Sequence, residues 1–365
     1  MTTRPPTASG LDDVVAAETA LSDVDGQAGR LVIRGHRVED LVASATFEEV
    51  CGLMWQGAMP APAERERLRV ALAGARDHAF GLIPSLGAAL EATDAMEALR
   101  AAVAHLRTTG NLRDDAVLLT GAIPVFAAAW HRAREARPPV PPDGSLTHAA
   151  DFLHMLSGTV PPPARVAGLD AYLCCVVDHG MNASTFVARA VASTGSDPVS
   201  AIVAAIGALK GPLHGGAPGP VLDMLDAIGQ PERARAWLEG ELAAGRRIMG
   251  MGHRIYRVRD PRAAALERAA SALEHSGAAT ERLLMARSVE REAERLLAER
   301  HPERHLKTNV EFYTAVLLEA VGIPRTLFSP TFAASRVVGW CAHVEEQRRV
   351  GRLIRPASRY VGPAA

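Results

Sequence analysis

Residues 173–215 read LCCVVDHGMNASTFVARAVASTGSDPVSAIVAAIGALKGPLHGGA, and two histidines, His179 and His214, each stand where an apolar, helix-patterned run gives way to small and polar residues. Each ring is therefore expected to project from a helix end into a crevice. Between them, Asp197-Pro198 supplies an N-cap and a first-turn proline, an apolar run continues to Leu209, and Lys210-Gly211-Pro212 stops the helix. A buried helix thus delivers His214 onto a glycine-rich turn. Gly215 and Gly216, having no side chains, let a ligand approach the backbone and the imidazole closely. A lone histidine beside an apolar segment is more often a packed residue than a catalyst, so position alone assigns no chemistry.

Helical patterning covers most of the chain. Leu11–Leu21 reads as a helix, and residues 24–35, VDGQAGRLVIRG, as a small hairpin with a glycine turn, the one convincing strand pair. Thr46-Phe47-Glu48-Glu49 is a capping-box signature for a helix through Met54 and Trp55. Asp94 can cap a segment whose Met96, Leu99, Val103 and Leu106 form one face, and Asp114–Ala136 is apolar nearly all round. Proline-rich loops are expected at Arg137–Ser145 and Thr159–Ala164, with helices at Thr147–Ser157 and Leu169–Val177. Pro231 opens a helix, Asp260-Pro261 another with Arg262 in its first turn, and Thr280–Arg300, rich in Glu and Arg, reads as a solvated helix. Thr308 starts a helix ending at Gly322, and Ser329-Pro330 starts a last one running to about Arg349.

Charge and size narrow the function classes. With 365 residues the chain can bury a large core, in two domains. Forty basic and 41 acidic residues leave a net charge of -1, so no overall field draws it to nucleic acid or an anionic membrane. Aromatics, at 4%, are too few for a base-stacking surface. Cys51, Cys174, Cys175 and Cys341 form no CxxC pair or zinc spacing, which reads as buried thiols in a reducing cytoplasm. The start, MTTRPPTASGLDD, has no apolar core of a signal peptide. The uncharged run Ala116–Trp130, interrupted by Pro124, falls short of the roughly 20 residues a bilayer needs.

A third histidine, His253, lies in MGMGHRIYRVRDPR, a glycine-punctuated basic loop. Alone, this loop fits an anion site and a merely solvated loop equally well. Together, DHGMNASTFVAR, GALKGPLHGGA and GxGH followed nine positions on by Arg within DPR resemble the histidine motifs of the citrate synthase family. The segment GLDDVVAAETALSDVDGQAGRLVIRGHRVEDL with FEEV likewise resembles the amino-terminal part of bacterial members, so the likeness begins near residue 10.

The resemblance implies a mainly α, two-domain citrate synthase-like helical fold with a small N-terminal β-hairpin. Residues 1–216 and 321–365 would form a large helical domain, and 217–320 an inserted small one. It further implies condensation of acetyl-CoA with oxaloacetate and water by a homodimer or a higher assembly of dimers, with no permanently bound cofactor and no metal. By matching positions, His179 and His253 bind oxaloacetate, His253 also protonating its carbonyl oxygen, and His214 hydrogen-bonds the thioester carbonyl. Arg262, Arg336 and Arg355 match the carboxylate clamps, Arg355 reaching across from a second subunit. Arg257 matches a contact to the CoA phosphates, and Asn182 and Ser184 match supports of the histidines. Planar guanidinium forks suit a dicarboxylate, and abstraction of a weakly acidic methyl proton needs both a base and a donor for the enolate oxygen.

Two departures from the family pattern stand out. Asn309-Val310-Glu311-Phe312-Tyr313 places Glu311 where the family usually has a catalytic Asp, and GGAPGP follows His214 where GGAN is frequent. From spacing, Thr308-x-x-Glu311 fits a capping box; from the alignment of phrases, Glu311 is the base, longer by about 1.5 Å. A 2-methylcitrate synthase using propionyl-CoA is the alternative enzyme, and a non-catalytic relative binding CoA or a dicarboxylate the alternative class. Lys307 reads as a CoA-phosphate contact or a solvated lysine, and His301 and His305 as surface residues.

Overall fold

Side chains that take up the free N–H groups of a first turn decide where the helices begin. The computed structural model describes residues 11, 14–214, 218–275 and 280–363, and among them forms fifteen α-helices and one small sheet. Helix α2 (Phe47–Gln56) starts with the expected capping box: the Glu49 N–H donates to Thr46 Oγ1 at 3.3 Å, and the Thr46 N–H to Glu49 Oε2 at 2.8 Å. Asp94 caps α4 (Ala95–Val103), and Asp197 caps α9 (Pro198–Leu209), whose first position is Pro198.

The amino-terminal sheet has three strands rather than two. Strands β1 (Ser22–Asp25) and β2 (Arg30–Ile33) pair antiparallel with Val24 opposite Leu31, and β3 (His36–Arg37) returns along Val32 and Ile33. Two residues are too few to show alternation, which is why β3 escapes a pattern search. The helix expected at Leu11–Leu21 is absent over residues 14–20. Its apolar Val14 and Val15 are 52% and 84% exposed, so no buried face rewards helix formation there.

Helix α5 (Leu112–Arg134), capped by Asn111, continues through Pro124. It is long and apolar enough to cross a membrane by composition, yet most of it is buried among α3 (Pro62–Leu82), α4, α6 (His148–Ser157) and α15 (Phe328–Val350). The proline loop before α7 (Pro163–Cys175) is shorter than expected, because Pro163 serves as the first helical residue. Helix α8 (Ala183–Ser193) packs on α9 and α15.

Helix α10 (Pro218–Ile228) had no sequence expectation of its own, and a 3₁₀ turn at Pro231–Arg233 precedes α11 (Ala234–Ala243). Helix α12 (Pro261–His275) packs on α7 and on α14 (Val310–Val321). Helix α13 (Thr280–Arg300) is amphipathic rather than solvated all round: Leu283, Ala286, Val289, Ala293, Leu296 and Leu297 are buried. The remaining helix, α1 (Val38–Ser44), lies against α7 and α12.

Candidate active site

The loop after α7 brings His179 inward. Asp178 beside it is fully buried and pairs with His343 of α15 at 3.2 Å. Burial alone would raise the Asp178 carboxyl, but the His343 charge and hydrogen bond, with Arg336 and Ser22, bring it below the usual range. A Cβ on Gly339 would stand 2.3 Å from the Val177 carbonyl oxygen, so α15 reaches this turn only because residue 339 is glycine. The same crossing lets Arg336 Nε donate to the Val176 carbonyl at 2.8 Å.

Asn182 caps α8, its Oδ1 accepting from the Thr185 N–H at 3.2 Å and lying 2.9 Å from Ser184 Oγ. His214 sits over this helix start. Its Nε2 lies 2.7 Å from Ser184 Oγ and accepts the Ser184 N–H at 3.3 Å, while Trp340 Nε1 donates to the same hydroxyl at 3.1 Å. An Nε2 that accepts the backbone N–H carries no proton, so the one Ser184 hydroxyl hydrogen points to this nearer nitrogen and the hydrogen of the neutral ring is on Nδ1. Burial, then the charge of Arg336, lowers the His214 pKa to about 4. Gly215 and Gly216, which open the GGAPGP departure, lie outside the described residues.

The loop carrying His253 is strapped to the segment entering α14. The Gly252 N–H donates to Lys307 O at 2.7 Å, Asn309 N to Gly250 O at 2.9 Å, and Asn309 Nδ2 to Gly252 O at 2.8 Å. Gly250 has φ 73°, and a Cβ there would meet the Phe312 side chain at 2.8 Å, so glycine is required by both conformation and space. Turn residue Gly26 supports the loop from the other side, its carbonyl accepting the Arg257 N–H at 2.9 Å. His253 Nδ1 accepts from the N–H groups of Ile255 and Tyr256 at 3.0 and 3.1 Å. Its proton is therefore on Nε2, which faces Arg262 Nη2 at 3.5 Å. Two donors facing one another create a place for an oxygen acceptor. Burial and Arg262 lower the His253 pKa to about 4, against the opposing pull of Asp260.

Arg262 is buried at the start of α12 and is held by Asp260, which accepts its Nε at 3.1 Å and Nη2 at 2.8 Å. The same carboxylate accepts the Val310 N–H at 3.2 Å, tying Arg262 to the helix that bears Glu311. In the sequence Asp260 marks only a helix start; its proline neighbour conceals the second task. Arg336 is buried with its guanidinium 4.5 Å from the Phe332 ring. Burial lowers its pKa to about 10, Asp178 opposing and Arg262 adding to the shift.

Helix α14 begins at Val310 and is capped by Asn309, whose Oδ1 accepts the Glu311 N–H at 3.0 Å. Thr308 is not the cap: it is buried, and its hydroxyl faces Glu294 at 3.2 Å. The capping box open to Thr308 and Glu311 is therefore not formed, because the cap lies one residue later. Among the described residues no hydrogen bond or ion pair engages the Glu311 carboxylate. Burial raises its pKa to about 7, with Arg262 and Arg336 pulling down and Asp260 pushing up. The fully buried Tyr172 hydroxyl, within electrostatic reach of Glu311, also lacks a partner among the described residues.

His179, buried, completes the cluster. Burial first, then the charges of Arg262, Arg336 and His253, push its pKa well down. Its ring is 5.6 Å from that of His253, and its Nε2 is 3.1 Å from the hydroxyl of Tyr256, a residue no sequence motif singled out. His179, His214, His253 and Glu311 thus converge around Arg262 and Arg336.

Arg257 is exposed and lines, with His253, Gln27, Arg304, His305 and Leu306, a cavity of about 550 Å³. His305 is exposed as expected, on that rim, and His301 is partly exposed. Lys307 keeps 43% of its side chain exposed and pairs with Glu294 at 2.8 Å. Arg355 is exposed in the extended carboxy-terminal segment, and no hydrogen bond or ion pair among the described residues ties it to the cluster within one chain.

Known proteins resemble this chain over nearly its full length. A family model described as citrate synthase, C-terminal domain, matches residues 10–357. Citrate synthase of Haloferax volcanii is 38% identical, covering 97% of this chain and 95% of that protein. A 2-methylcitrate synthase of Mycobacterium tuberculosis is 37% identical over 98% of this chain and 91% of its own. The ternary complex of carboxymethyl coenzyme A and oxaloacetate with citrate synthase from Thermoplasma acidophilum superposes with a TM-score of 0.87 at 29% identity, covering 98% of this chain and 96% of that one.

Proposed function

This chain belongs to the citrate synthase family and is an acyltransferase of that type, and from that premise we propose that it condenses acetyl-CoA with oxaloacetate and water to give citrate and free CoA. The observation carrying this reading is the gathering of three imidazoles, whose pKa values burial lowers, and a carboxylate without a partner among the described residues around two buried arginines.

Each group has chemistry suited to a step. Glu311, with a pKa near 7 and no competing partner among the described residues, removes a methyl proton of the thioester. His214, anchored through Nε2 on the start of α8, offers Nδ1–H to the developing enolate oxygen. His253 presents Nε2–H beside Arg262, where the keto oxygen and a carboxylate of oxaloacetate fit between two donors. It delivers the proton to that oxygen as the carbon–carbon bond forms, and water then cleaves the citryl thioester. His179, Arg262 and Arg336 hold the dicarboxylate, with Asn182 steadying Ser184 and His214. Arg257, on the rim of the 550 Å³ cavity, meets the CoA phosphates.

Residues 1–216 and 321–365 form a large domain that closes on a small domain of 217–320, excluding water from the thioester. Two chains associate, each lending Arg355 to the other's site. No cofactor is held permanently, and the enzyme works in the cytoplasm, where its four buried, unpaired cysteines remain reduced.

The test is release of free thiol from acetyl-CoA in the presence of oxaloacetate. Purified protein should release it well above a His253→Ala control, and equal rates would reject the assignment. Similarity to a 2-methylcitrate synthase supports propionyl-CoA as a second donor. One methylene is worth about 1–3 kcal/mol in an apolar pocket, so the two donors are compared by kcat/KM.

A further inference from the structure

Tyr256 stands beside three of the groups assigned to the keto acid, His179, His253 and Arg262. It is buried, and its hydroxyl lies 3.1 Å from His179 Nε2. Its backbone N–H donates to His253 Nδ1 at 3.1 Å, its ring centroid is 4.8 Å from that of His253, and the Arg262 guanidinium lies 6.0 Å from the ring.

These contacts fix where two protons reside. A neutral imidazole has one N–H and one bare nitrogen, and whatever engages one nitrogen decides the other. Two backbone N–H groups on His253 Nδ1 leave its hydrogen on Nε2. A phenol O–H is more acidic than a neutral imidazole N–H and the imidazole nitrogen is the better acceptor, so across the 3.1 Å contact Tyr256 donates to His179 Nε2, which leaves the His179 hydrogen on Nδ1.

We propose that Tyr256 is a positioning residue that sets the two imidazoles in opposite tautomers, so that His253 alone presents an Nε2–H to the keto oxygen while His179 is held as an acceptor. The consequence is a division of labour between rings only 5.6 Å apart. Only one of them competes to donate to the carbonyl under attack, and the other is kept from rotating by the phenol. The inference rests on the keto-acid reading of the site given above, but the protonation pattern can be measured without turnover.

The experiment uses the full chain labelled with ¹⁵N-histidine, the two signals being assigned with His179→Gln and His253→Gln. Long-range ¹H–¹⁵N spectra of the wild type should show His179 protonated on Nδ1 and His253 on Nε2. In Tyr256→Phe, which keeps the ring and its packing, His179 should become a tautomer mixture. His253 should be unchanged because its backbone donors remain. The same variant should raise the KM for oxaloacetate about tenfold, the loss expected for one hydrogen bond to a buried group, with the KM for acetyl-CoA changed less than about twofold.

A wild-type His179 protonated on Nε2, or a single Nδ1 tautomer surviving in Tyr256→Phe, would overturn the proposal. Equal changes in both KM values would also overturn it, since they would signal general disruption. Should the spectra behave as expected while the wild type releases no thiol, the tautomer assignment stands and the proposed reaction falls.

Discussion

Glu311 is where this chain departs most sharply from its family's usual phrase, and the burial of its carboxyl carries two consequences. Burial raises the carboxyl pKa to about 7, so the form able to accept a proton prevails only above that pH. The histidines, with His214 and His253 near 4, stay neutral across the range and do not shape it. We expect kcat/KM for acetyl-CoA to rise with pH to half its plateau near 7; a profile level through pH 7 would remove Glu311 from the role. Glu311→Gln should lower kcat by about 10²–10⁴ while oxaloacetate binding, followed by calorimetry, is retained. The second consequence concerns stability. Because the folded chain holds this proton more tightly than the unfolded one, the group's contribution is full below about 4.5 and is lost as pH rises through 7. Glu311→Gln, neutral at every pH, should therefore stabilise the protein at pH 8 by about 1–3 kcal/mol and change little at pH 4.5. Urea denaturation at the two pH values decides this, and equal effects at both would contradict it.

At the scale of elements, the hairpin turn acts as a wall behind the His253 loop. A Cβ on Gly26 would stand 2.3 Å from the Ile255 carbonyl oxygen, which belongs to backbone and cannot swing aside. Gly26→Ala should push the loop and displace His253, lowering kcat/KM by roughly 10- to 100-fold, as misplacement on the order of 1 Å does. Gly35, with φ 86° and nothing within 4 Å of where a Cβ would stand, is the control for backbone strain: Gly35→Ala should lose stability without that loss of activity. If both variants lose activity equally, the wall is not what positions the loop. These contacts also explain what could be read from sequence. Helix starts at Thr46, Asp94 and Asp197 were legible because a cap acts on residues two or three positions away. The motif histidines and arginines were legible as phrases. Asp260 and Tyr256 were not, since their partners at Val310 and His179 lie 50 and 77 positions away and leave no local pattern. Nor was the lost helix near residue 14, because a helical pattern cannot reveal that its apolar face has nothing to pack against.

Across the whole molecule, exposed apolar side chains gather toward the two ends of the described chain, besides isolated ones such as Val160 and Leu213. Val14 and Val15 are exposed at one end, and Leu353, Tyr360 and Val361, at 58%, 78% and 86% exposure, at the other. Exposed apolar side chains in extended segments are poorly accounted for by a single chain, and Arg355 lies among those of the second. The proposed dimer, with each tail crossing to the neighbour, would account for the exposure of this tail and would make every site a composite: Glu311 from one chain, Arg355 from the other. Mixing distinguishes this from a tail serving its own chain. Arg355→Ala and Glu311→Gln should each be nearly inactive alone. When they are unfolded together in equal amounts and refolded, half of the dimers should be hybrids. In a hybrid, crossed tails place both lesions in one site and leave the other intact, so activity should recover to about a quarter of wild type. With tails serving their own chains, each hybrid site keeps one lesion and activity should not recover at all. Light scattering on the same samples reports whether dimers re-formed, and a mixture that is dimeric yet inactive would refute the exchange.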